Sequence, residues 1–143
     1  DYLVGNPGGS VATKFGHVAF TPAIHSSSYE GVYLGVACGF VIHFERVGDR
    51  GLTVYHAGDT ALFGDMRLIG ELAQPDLALL PAGGRFTMSS KLASKAAEMI
   101  RPKVAVPLHW GTFDVLAQNV DDFQPAGVEA KVVAAGDRWT FDG

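Results

Sequence analysis

Between Asp76 and Pro107 the chain reads strand, helix, strand, and this run constrains the fold more than any other. Asp76–Leu80 (DLALL) is a short apolar stretch with little alternation, the pattern of a strand in a sheet covered on both sides. Ser89 can cap a helix whose apolar stripe is Leu92, Ala93, Ala96, Ala97 and Ile100. That stripe keeps the 3.6-residue period until Pro102 ends it. Val104–Pro107 is apolar again and reads as a strand. Upstream, Asp65 can cap a shorter helix carrying Met66, Ile69, Leu72 and Ala73, stopped by Pro75. Earlier still, Val18–Pro22, Gly35–Phe44 and Leu52–His56 read as strands, the last two joined through a turn at Gly48–Gly51 as a hairpin. Strands first and then β-α-β-α-β predict an α/β layered domain with a mixed sheet and helices on at least one face. Tyr2–Gly9 and residues 23–31 read as loops, Phe113–Phe123 as partly helical, and Lys131–Ala134 and Trp139–Phe141 as closing strands around Gly136 and Asp137.

Length and charge narrow the function classes. At 143 residues the chain suits one domain with a real core and is short for two. Eleven basic residues against fifteen acidic leave no surplus to grip a phosphate backbone, which argues against a nucleic-acid module. One cysteine, Cys38, excludes an internal disulfide framework and a Cys-rich zinc site, and its apolar setting reads as core. Apolar runs are far short of a membrane span. The opening DYLVGNPGG lacks the basic start and apolar stretch of a signal peptide, so a cytoplasmic location is expected.

Three segments share one shape, a short hydrophobic strand followed by a polar loop with His or Asp. They are Val18–Pro22 then His25, Leu52–His56 then Asp59, and Val104–Pro107 then His109. Ligand sites in α/β sheets gather at the carboxyl ends of strands, so these loops could meet at one rim. Two imidazoles and a carboxylate are a common ligand set for a catalytic zinc. Plainer readings stand beside this one: His25 as a loop histidine, Asp59 capping the next turn, and His109 half-buried and bonded to backbone. His56 reads as a support or packing residue, and His17 and His43 carry no spacing signal. Arg85, after the Asp76–Leu80 strand, could bind an anionic substrate or simply be solvated. A serine–histidine mechanism has no G-x-S-x-G elbow to stand on, and the Gly83–Gly84 pair lacks a phosphate-loop signature.

Four motifs then match one pattern in order. Ala23–Ser28 (AIHSSS), Tyr55–Thr60 (YHAGDT) with Leu62–Met66, Leu80–Met88 (LPAGGRFTM) and Pro107–Phe113 (PLHWGTF) resemble the UlaG-like branch of the metallo-β-lactamase superfamily. Asn6–Gly9 is similar to the segment that precedes them. The resemblance implies a metal-dependent hydrolase of a small ester, lactone or phosphodiester. It implies two divalent ions, zinc first, with manganese, iron or nickel as alternatives. His25 then completes the first metal site, Asp59 bridges both ions, and His109 completes the second. A bridging hydroxide is the nucleophile, Asp59 and His56 form the catalytic set with Thr60 in support, and Arg85 and Trp110 face the substrate.

The departures from that pattern set further expectations. The superfamily's H-x-H-x-D-H signature, which supplies four ligands, is absent from these residues. Trp110 stands where tyrosine is expected and Arg85 where histidine is usual. The superfamily fold is a four-layer αββα sandwich of two similar halves, and residues 1–143 resemble a single partial domain, its C-terminal half. Each metal would keep only two protein ligands, so affinity should be low. The alternative function is a non-catalytic half-domain or fragment that needs a partner to supply the missing ligands. Self-association or pairing with an N-terminal half is the expected partnership, beside a small-molecule substrate.

Overall fold

A computed structural model describes residues 3–45 and 51–141. Seven strands form one mixed sheet in the order β1-β2-β5-β6-β7-β8-β9. They are β1 (Ser10–Ala12), β2 (Gly16–Pro22), β5 (Cys38–Phe44), β6 (Leu52–His56), β7 (Leu77–Pro81), β8 (Val104–Leu108) and β9 (Glu129–Ala130). The first four pair antiparallel, and β6 to β9 run parallel. Helices α1 (Met66–Ala73) and α2 (Ser90–Ile100) make the first two of the three crossovers that these parallel strands require, and residues 109–128 make the third without a helix. A separate hairpin, β3 (Ser28–Tyr29) and β4 (Val32–Tyr33), stands off the main sheet.

The helix boundaries follow from local chemistry. Ser89 Oγ accepts from the Leu92 amide at 3.4 Å and starts α2, whereas Asp65 precedes α1 without a side-chain cap bond. Both helices end on a left-handed residue, Gln74 (φ 45°) and Arg101 (φ 57°), with a proline next in sequence. Gly70 lets the helices approach: a Cβ there would overlap the backbone of Ile100.

Both helices lie on one face of the sheet. Met66, Ala93, Ala96, Ala97 and Ile100 pack with Val41, Tyr55, Ala78, Leu80 and Ala105 in the buried core. The alternate residues point to the opposite face, where Phe20, Phe40, Ile42, Leu52, Leu77 and Leu79 are half-buried. Buried Asp76 ties three strand starts together: its Oδ2 accepts from the Thr53 amide at 2.9 Å and its Oδ1 lies 3.4 Å from Lys103 Nζ.

Several expectations need correction. Phe113–Phe123 contains no helix; Leu116, Val120 and Phe123 are buried on successive turns, in a stretch where Asn119, Asp121 and Asp122 favour turns. No strand forms over Lys131–Ala134 or Trp139–Phe141. The last parallel strand is the two-residue β9 at the sheet edge, and Trp139 and Phe141 meet each other edge to face at 5.8 Å. The loop expected over residues 23–31 carries β3, because Glu30 (φ 48°) and Gly31 (φ 79°) make a two-residue turn of the twist that suits a hairpin. Strand β1 has no counterpart in the expectations. The turn at Gly48–Gly51 falls, but for Gly51, outside the described residues. Among the described residues no helix is long and apolar enough to cross a membrane.

Candidate functional site

The expected site residues lie on loops that leave the carboxyl ends of β2, β6, β7 and β8. Backbone bonds draw these loops together. Ala57 N donates to Leu79 O at 3.0 Å, and Ala82 N donates to Leu108 O at 2.8 Å. The parallel ladder therefore continues past the strand ends, and the residues just beyond it reach one rim.

The β6 loop turns at Gly58 (φ 65°), which lies against the Cys38 carbonyl: a Cβ would stand 2.6 Å from that oxygen. His56 Nδ1 accepts from the Gly58 amide at 3.1 Å, so His56 shapes the turn that presents Asp59. Thr60 is fully buried; its Oγ1 accepts from the Ile24 amide at 2.9 Å and donates to the Ala61 carbonyl at 2.8 Å. Ala61 N donates in turn to Ile24 O at 3.0 Å. This clamp fastens the residue before His25 to the residues after Asp59. His25 itself is exposed, with Nδ1 2.8 Å from the Ser26 carbonyl.

His109 adopts a left-handed backbone (φ 59°), which turns its side chain back over the β7 loop. Its Nε2 stands 3.6 Å from Asp59 Oδ2. Its Nδ1 is buried without a hydrogen-bond partner, as is Thr87 Oγ1 in the neighbouring loop. Gly83 makes room for the ring: a Cβ on it would overlap the His109 carbonyl and stand 2.5 Å from Nδ1. Trp110 is half-buried against the core, and its indole N–H donates to the Pro107 carbonyl at 3.0 Å. Arg85 is exposed, with its guanidinium 5.6 Å from the centre of the Phe86 ring.

The structure thus brings Asp59 and His109 together, ties His25 to the same rim through Ile24, and leaves Arg85 exposed beside Phe86. Among the described residues, no three His, Cys, Asp or Glu side chains are grouped closely enough to hold a metal ion. Gly83 carries a positioning role for His109 that residue types alone did not assign. A nearby core group, Tyr55, has its phenol pushed up to about 12 by burial, with the Thr21 hydroxyl opposing the shift.

Residues 5–110 match the family model of the beta-lactamase superfamily domain. The chain belongs to the metallo-β-lactamase superfamily. Two relatives from the superfamily are UPF0173 metal-dependent hydrolases. The one from Methanosarcina mazei is 49% identical over 131 residues, covering 89% of this chain and 54% of the relative. The one from Methanospirillum hungatei is 50% identical over 125 residues, covering 85% and 55%. The structure of Igni18, a metallo hydrolase from Ignicoccus hospitalis, superposes with a TM-score of 0.82 at 36% identity, over 99% of this chain and 61% of that one. The chain spans about half the length of the curated relatives it matches.

Proposed function

We propose that this chain carries half of the active site of a divalent-metal-dependent hydrolase of the UlaG-like type, acting on a small ester, lactone or phosphodiester. The observation that carries the reading is the approach of His109 Nε2 to Asp59 Oδ2 at 3.6 Å. That is long for a hydrogen bond. It is close to the roughly 3.3 Å between two donors on one tetrahedral ion with bonds of about 2.0–2.1 Å. The orientation of the ring supports it: Nδ1 is buried against the β7 loop, so Nε2 is the nitrogen that faces the carboxylate and is offered to an ion.

Asp59 and His109 would hold the metal, with His25 reaching in from the loop that the Thr60 clamp fastens. Bound divalent ions supply Lewis acidity and water acidified toward neutral pH. The chain's own residues then orient the reacting groups. His56 fixes the turn that aims Asp59, Gly83 and the left-handed backbone aim His109, and Arg85 offers a cation to an anionic substrate. Two or three donors are fewer than a catalytic zinc site usually has, so the remaining ligands come from outside these residues, on an N-terminal half or a partner chain.

Hydrolysis of an aryl ester, a lactone and an aryl phosphodiester, with Zn2+ or Mn2+ in excess, tests the reading. With the N-terminal half supplied in the same chain or in trans, we expect turnover of one class above metal alone, falling at least about 100-fold in Asp59→Ala. A rate that Asp59→Ala leaves unchanged overturns it.

A further inference from the structure

A pair of histidines lies at the opposite end of the sheet from the Asp59 rim. His17 on β2 and His43 on β5 are direct cross-strand partners, and their ring centres are 5.1 Å apart with planes inclined by 32°. Two imidazoles on one tetrahedral ion, with metal–nitrogen bonds of about 2 Å, have ring centres about 5 Å apart. His43 is also held as metal-ligating histidines are held: its Nδ1 lies 3.0 Å from Thr53 Oγ1. A proton donated from Nδ1 to that hydroxyl leaves the Nε2 lone pair free. Gly51 keeps space beside that nitrogen, since a Cβ on it would stand 3.3 Å from Nε2. His17 is exposed, and both rings line a cavity of about 640 Å³ that also takes in Asp65, Leu68 and Leu72.

We propose that His17 and His43 form a two-histidine chelate for a divalent transition metal of the imidazole-preferring kind, with open coordination positions toward the α1 groove. The two strands fix the backbones that carry the rings in direct register, and the Thr53 contact holds the His43 ring, so less entropy opposes closing the chelate.

The test uses the 143-residue chain carrying Asp59→Ala and His109→Ala, so that the rim described above does not compete. Ni2+ is titrated calorimetrically into this background, with Cu2+ electron paramagnetic resonance to count nitrogen ligands. We expect one Ni2+ per chain and a two-nitrogen copper signature. His17→Gln should weaken Ni2+ binding at least tenfold, because His17 is exposed and its loss leaves the fold intact. His43→Gln should do the same, and the double variant should lose little more than either single one. Thr53→Val should weaken binding several-fold without altering the circular dichroism. Absence of Ni2+ binding in the background, or equal affinity in His17→Gln, overturns the proposal.

Discussion

The imidazole of His109 and the carboxylate of Asp59 face each other at 3.6 Å across the rim where the β8 and β6 loops meet. Neither residue is near the other in sequence. They meet because β6, β7 and β8 are parallel neighbours whose ladder runs one residue past the ends of β6 and β7.

Gly83 should be the residue on which this placement depends most. A Cβ at position 83 overlaps the His109 carbonyl and crowds Nδ1, so Gly83→Ala must shift the loop or the ring. We expect a loss of about 1–3 kcal/mol, as for other forced insertions into packed space. Chemical denaturation reads this loss, and the His109 imidazole resonances should move with it. An unshifted His109 spectrum in a folded Gly83→Ala protein contradicts the account.

Thr60→Val keeps the side-chain shape but removes the hydroxyl that the Ile24 amide requires. The cost should be about 1–3 kcal/mol for a buried donor left without its partner. Hydrogen exchange at the Ile24 amide should accelerate well before global unfolding, because the clamp on the His25 loop is lost.

Tyr55 links stability to alkaline pH. Its phenol is raised to about 12 in the folded chain, against an ordinary value of 10. Between those values the unfolded chain has released the proton and the folded chain has kept it, so stability is full below pH 10 and falls as pH rises toward 12. Tyr55→Phe should flatten that limb in denaturation measured from pH 9 to 12. A limb that persists unchanged assigns the loss to other groups.

The sheet face opposite the helices should self-associate or bind a complementary half. Phe20, Phe40, Ile42 and Leu77 are only half-buried there, Phe20 and Phe40 in ring contact and Ile42 in register with Val54 and Leu77, and apolar surface of this kind seeks cover. Sedimentation should show concentration-dependent association in the micromolar range, weakened by Phe40→Lys or Ile42→Lys. A monomer at all concentrations contradicts this.

The layered α/β order was legible because it rests on period and punctuation. Leu92, Ala93, Ala96, Ala97 and Ile100 mark one helix face, and Pro75 and Pro102 stop both helices. The segments that misled are those whose structure depends on what they pack against. Leu116, Val120 and Phe123 have near-helical spacing, yet they are buried from successive turns rather than from a helix, Val120 and Phe123 against the core. Lys131–Ala134 is β-prone, but the edge it would join supports pairing only at Glu129 and Ala130, with one further bond from Lys131 N to Ala105 O. At the rim, the meeting of Asp59 with His109 was legible from the place of each after a strand. The role of Gly83 was not, because a missing side chain signals its purpose only once the neighbour that fills the space is known.

Zinc affinity tests the central claim most directly. In a chain with His17→Gln and His43→Gln, equilibrium Zn2+ titration should show a site whose affinity falls at least about tenfold in Asp59→Ala and again in His109→Ala. Equal zinc affinity in the parent and in both variants would contradict a metal centre built on these two residues.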